Sequence, residues 1–164
     1  MEINVKLDQG YIPDKYSKFS DIKQNDQPIV SFPIHLEKIP KGTKSLAVSL
    51  IDYDAVPRTG FPFIHWLAAD IPVTNDIPED FSRNFKGPQG KNAWFSRFYD
   101  FHDDYVINHY AGPVPPDKPH IYTLTVYALN SATHLNNGFF YNDFRNSLKN
   151  KIIDQVEIGL KARN

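Results

Sequence analysis

Apolar and polar positions alternate from the start of the chain: Ile3, Val5 and Leu7 are separated by polar neighbours. This period of two predicts a half-buried strand closed by the turn signal Asp8-Gln9-Gly10. From Tyr11 to Gln27 isolated aromatics stand among Asp, Lys, Ser and Asn without a sustained period, which predicts a loop with a short strand or two. Pro28 to Leu36 is expected to run extended at a sheet edge, because Pro33 lacks a backbone donor and Pro28 biases Gln27 away from the helical region. Ser45 to Ile51 is almost wholly apolar and reads as a central strand buried on both faces. Phe61 to Ile71 is a second apolar run, interrupted by His65 and closed by Pro72. Ile121 to Leu129 is a third.

Between Val73 and Asp104 the pattern turns loop-like, with Phe81, Phe85, Trp94, Phe95 and Phe98 interspersed. So long an irregular stretch is usually functional or packed by its own aromatics. Phe140, Phe144 and Leu148 share one helical face, predicting a single helix with Asn142 as N-cap, ending near Ile153. Val156, Ile158 and Leu160 predict a last short strand.

Composition strengthens the β reading. Thirteen Pro, one Met, 12 Phe and 9 Tyr among 164 residues leave little room for long helices and much for strands. One domain over residues 1–164 is the expectation at this length. Eighteen Lys plus Arg against 19 Asp plus Glu create no long-range basic field, so nucleic acid is not an expected partner and any bound anion must be held locally. The absence of Cys excludes disulfides, thiolate metal sites and a Cys nucleophile. With no basic segment leading into an apolar stretch, and apolar runs far short of the roughly 20 residues that span a bilayer, a cytoplasmic protein without a membrane span is expected.

Asp52 and Asp54 follow the first core strand with Tyr53 between them. If extended geometry continues, both carboxylates point to one side, placed to bind a metal, act as acid and base, or accept from a ligand's donors. Asp is also a favoured turn residue where strands end, and that reading stands beside the first. His65 lies in an apolar run beside Trp66, where an imidazole needs partners whether it serves a site or only the core. His120 opens the third core strand, with Tyr110 before the proline-rich stretch and Tyr122 after it. These groups either converge on one site or are unrelated strand-end polars. No glycine-rich phosphate loop, Gly-x-Ser-x-Gly elbow or helical His pair is present. His102 and His109 read as solvated.

The segments SFPIHLEKIP, LIDYDAVP, FIHWLAADIP and YAGPVPPDKPHIYTLTVYAL, in that order, resemble the phosphatidylethanolamine-binding (Raf kinase inhibitor-like) family, and most of all its bacterial and archaeal branch. The resemblance covers residues 31 to 130. It implies a mainly β, antiparallel two-sheet β-sandwich with a few short peripheral helices, and a shallow pocket for phosphate-like or carboxylate anions and phospholipid headgroups. It places Asp52, Asp54, His65, His120 and Tyr122 on the family's motif positions, with Gly112 and Pro115 at the rim. No cofactor or bound metal is implied. Relatives include kinase or protease modulators and homodimers, so a protein partner or a second copy is an expectation of the same kind.

The departures are Tyr53 for the proline between the aspartates, an inserted Val56, and Pro119 and Ile121 for the glycine and arginine flanking His120. The last removes a cation that would balance the carboxylates. Two acids are a strange lining for an anion site. The expected resolution is that Asp52 holds a histidine charged while His65, His120 and the hydroxyl of Tyr110 or Tyr122 face the ligand. A non-catalytic binding protein is therefore expected. The alternative is a metal-assisted or acid/base phosphoester hydrolase using Asp52, Asp54, His65 and His120.

Overall fold

Nine strands and four short α-helices form the regular structure of residues 1–164 in the computed structural model. The strands are β1 (Glu2–Asn4), β2 (Lys23–Gln24), β3 (Gln27–Pro28), β4 (Ile34–Glu37), β5 (Ser45–Asp52), β6 (Phe63–Ile71), β7 (Asp76–Ile77), β8 (His120–Leu129) and β9 (Ile152–Ala162). The helices are α1 (Val56–Thr59), α2 (Phe81–Asn84), α3 (Asp104–Ile107) and α4 (Tyr141–Leu148). A four-stranded sheet runs β6-β5-β8-β9, a three-stranded sheet runs β1-β4-β7, and β2 pairs with β3. Every strand pairing within these sheets is antiparallel.

The apolar run at 45–52 is explained by its place. All eight residues of β5 are buried because β6 and β8 flank it and both of its faces are covered. Leu46, Val48 and Leu50 on one face join Leu124, Val126 and Ala128 of β8 and Ile34 and Leu36 of β4 in a core shared by the two larger sheets. Each of the Val, Leu and Ile side chains contributes about 1.5–3 kcal/mol on burial. Ala47 on the opposite face packs with Leu67, Ala69, Phe139, Phe144 and Leu148, so α4 closes the outside of the four-stranded sheet.

Several elements differ from the sequence reading. Pro33 lies just outside β4, no ladder donor is lost, and β4 is the middle strand of its sheet instead of an edge. The helix begins after Phe140, whose amide donates to the Asp143 carboxylate at 3.2 Å, so Asn142 lies inside it and is not its cap. It stops at Leu148, because Asn150 takes a left-handed backbone (φ 61°) that reverses the chain into β9. Ile153 thus belongs to a strand. β9 itself runs eleven residues along the sheet edge, with only Leu160 and Ala162 fully buried. The irregular stretch after Val73 is held by its aromatics: Phe63, Trp94 and Tyr99 contact one another edge to face, and Trp94 stacks on Phe101 at 5.0 Å. No helix is long and apolar enough to cross a membrane.

Candidate functional site

The inner face of the four-stranded sheet continues past the core into a cavity of about 260 Å³. Asp52 keeps the phase of Leu46, Val48 and Leu50, and lies opposite Tyr122 on β8 and Phe63 on β6. His120 and Tyr122 keep the phase of Leu124. His65 arrives differently: Leu50 pairs with Trp66 but Ile51 pairs with Ile64, leaving His65 as the extra residue of a β-bulge. A bulge turns two successive side chains to one side. Trp66 accordingly enters the core while His65 lines the cavity. Phe63, Trp94 and Tyr99 form an aromatic wall, Val114 and Pro116 come from the proline-rich loop, and Ala55, Arg58 and Thr59 from the start of α1 and its flank.

His120 is clamped between acids. Its Nδ1 lies 2.7 Å from Asp52 Oδ2 and its Nε2 lies 3.0 Å from Asp117 Oδ1. Carboxylates only accept, so two of them are satisfied together only if both ring nitrogens carry hydrogen. Burial opposes the charge, but the hydrogen bonds and charges of Asp52 and Asp117 outweigh it and hold the His120 pKa above its ordinary value. Asp52 Oδ1 also accepts from the Ala55 amide at 3.2 Å.

His65 is the opposite case. Burial pushes its pKa below the ordinary value, against the Ala111 carbonyl and the Asp52 charge. Its Nδ1–H donates to Ala111 O at 2.7 Å, which leaves Nε2 as a bare acceptor. The Tyr122 ring stands edge-on to His65 at 5.0 Å, and burial and the Asp52 charge keep its hydroxyl protonated. Arg58 is exposed at the cavity mouth and forms no salt bridge. No group of three His, Asp or Glu side chains is arranged to hold a metal ion.

A family model for phosphatidylethanolamine-binding protein matches residues 3–163. The chain belongs to the phosphatidylethanolamine-binding protein family. Among relatives, the uncharacterized protein YxkA of Bacillus subtilis is 45% identical over 158 residues, covering 93% of this chain and 94% of the relative. A UPF0098 protein of Pyrococcus abyssi is 30% identical over 137 residues, covering 82% of this chain and 72% of its own length. The crystal structure of Escherichia coli YbcL, described as a new member of the mammalian PEBP family, matches with a TM-score of 0.76 at 23% identity, covering 99% of this chain and 98% of that one. At that identity the likeness speaks for the fold.

Of the eight expected site residues, Asp52, His65, His120 and Tyr122 meet in the cavity. Four others do not. The strand ends at Asp52, so Asp54 swings out to solvent, where its carboxylate accepts from the Ile121 amide at 2.9 Å. Tyr110 is a core residue: its hydroxyl donates to Tyr16 O at 2.8 Å and its ring packs on Phe32 and Trp66. Gly112 is packed so tightly that a Cβ there would lie 2.4 Å from Tyr16 O, making it a close-approach residue and not part of the rim. Pro115 is buried, and its neighbours Val114 and Pro116 face the cavity. His102 is exposed beside Asp100. His109 is not simply solvated, since its ring stacks on Tyr105 at 4.1 Å and Nδ1 donates to the Tyr105 carbonyl.

The residues that sequence reasoning missed are Arg58, Trp94, Tyr99 and Asp117. The missing cation was sought at position 121, beside the histidine, but Ile121 is exposed and does not line the cavity, whereas Arg58 reaches the cavity from α1. Trp94 and Tyr99 stood out only as part of an aromatic-rich loop.

Proposed function

We propose that this chain is a non-catalytic binding protein whose cavity takes a small anionic group, a phosphate or carboxylate, free or as a phospholipid headgroup or protein side chain. The observation that carries this is the pairing of a clamped imidazolium, His120, at the cavity floor with an unpaired guanidinium, Arg58, at its mouth. Between them lie aromatic walls, where charge attraction is screened less than in water. His65 Nε2 adds an acceptor for a ligand hydroxyl or protonated phosphate oxygen. A volume of about 260 Å³ suits a headgroup-sized ligand and is small for a nucleotide.

Catalysis is disfavoured by the same geometry. The hydroxyl of Thr59 donates to the Phe61 carbonyl at 2.6 Å, with the Ala55 carbonyl also within reach at 3.0 Å, and is not paired with a base. Capturing a phosphorylated or carboxylated side chain would let the protein modulate a kinase or protease partner.

Calorimetric titration with inorganic phosphate and with acetate tests the reading. Arg58→Ala should weaken binding by about three- to tenfold, the range for a charge-assisted contact that stays partly exposed, with no loss of melting temperature. No measurable binding of either anion at millimolar concentration would refute it. Turnover of a generic phosphoester, with or without added zinc or manganese, that is abolished by Asp52→Ala would replace it with the hydrolase reading.

A further inference from the structure

The anion reading meets a difficulty at His120. Asp52 occupies Nδ1 and Asp117 occupies Nε2, so the imidazolium has no N–H left to offer a ligand. The two acids also outnumber it, which leaves the trio with one net negative charge beside the cavity.

The two carboxylates are not equivalent. Asp52 is 4% exposed and is anchored a second time by the Ala55 amide. Asp117 is 42% exposed, its carboxylate hydrogen-bonds to no side chain except His120, and it sits in the irregular loop between α3 and β8 that also supplies Val114 and Pro116 to the cavity wall. Its backbone carbonyl is held separately, accepting from Asn164 Nδ2 at 3.2 Å. Pro115, Pro116 and Pro119 bracket it and stiffen the backbone, so the carboxylate can leave by side-chain rotation alone. Rotation about χ1 is fast and has three staggered wells to choose from.

We propose that the Asp117 carboxylate is a built-in surrogate for the ligand: it fills the seat of an anionic oxygen on His120 Nε2, and an incoming anion must displace it. This rests on the anion reading of the cavity and adds the competitor that sets its affinity. His120 thereby stays charged whether or not a ligand is bound, with one carboxylate always on Nδ1 and either Asp117 or the ligand on Nε2. A charged imidazole at the floor of an apolar cavity is never left with an unpaired N–H.

The test is calorimetric titration of inorganic phosphate and of acetate into the wild type, Asp117→Asn, Asp117→Ala and Asp54→Asn. Asp54 is the charge control: it lies nearby but touches only the Ile121 amide. Asp117→Asn and Asp117→Ala should each bind both anions about tenfold more tightly, the strength of one partly exposed charge-assisted hydrogen bond. Asp54→Asn should gain less than about twofold, because an exposed charge acts only through screened solvent. Three results would overturn the proposal. Equal binding by wild type and both Asp117 variants sinks the competitor and leaves the anion site standing. Weaker binding by the Asp117 variants makes Asp117 a support for the site. A gain in Asp54→Asn matching that in Asp117→Asn reduces the effect to net charge. If no protein of the set binds either anion, the anion reading itself fails and takes this inference with it.

Discussion

Replacing Asp52 by Asn keeps the side chain's shape, and its acceptor for the Ala55 amide, while removing the charge that faces His120. The two side chains are 1% and 4% exposed, so the pair is a buried one. Breaking a buried pair by deleting one partner typically costs about 3–5 kcal/mol, since the other charge is left behind. Asp117 stays on the far nitrogen and keeps part of the compensation, which puts the expected cost near the lower end, about 3 kcal/mol.

The cost should depend on pH with a definite sign. The folded-state pKa of His120 lies above its unfolded value of about 6.5. Its contribution is therefore complete below the unfolded value and is lost as pH rises through the raised folded value. Above that point wild type and variant both hold a neutral imidazole, and the difference shrinks to about 1 kcal/mol for one hydrogen bond. Urea unfolding of both proteins at intervals from about pH 6 to about pH 9, with linear extrapolation to water, measures this. A destabilisation that stays flat across the range, or grows with pH, would falsify the assignment of His120 as a clamped cation.

The two site histidines should titrate on opposite sides of the ordinary value, His120 above it and His65 below it. Imidazole NMR resonances followed against pH check this, and a reversed order would contradict the assigned hydrogen-bond roles. Stability should also fall as pH drops below about 6.5 in proportion to His65, whose neutral form burial protects, and His65→Gln should remove that component of the slope. Tyr110→Phe should lower stability by about 1–2 kcal/mol, the cost of orphaning the buried Tyr16 carbonyl, while leaving phosphate affinity unchanged. A loss of affinity without loss of stability would return Tyr110 to the site.

The apolar runs at Ser45–Ile51, Phe61–Ile71 and Ile121–Leu129 were legible because two-sided burial forces every position to be apolar, and that pattern does not depend on which strands are neighbours. The family motifs were legible for the same local reason. That legibility hid the site: in a strand apolar on both faces, nothing in the pattern says which face Asp52 continues. β4 was misread as an edge and β9 was found but read too short, because a strand's place and extent in a sheet belong to its partners, and pairing over long sequence separations leaves no local period.

From its sequence alone, then, this chain determined its family, its β-rich class and the identity of four side chains in the cavity. The register of β5 against β8 and the bulge at His65 decided that those four meet. The turn after Asp52 decided that Asp54 leaves, and the packing of Tyr110 and Gly112 against Tyr16 turned two expected site residues into core. That Arg58 lines the cavity and Asp117 reaches His120 was likewise a matter of tertiary structure. The physical reason is common to all of these: residue type records whether a position is wet or dry, whereas electrostatic function depends on which charges come within hydrogen-bonding distance, and only the folded chain sets those distances.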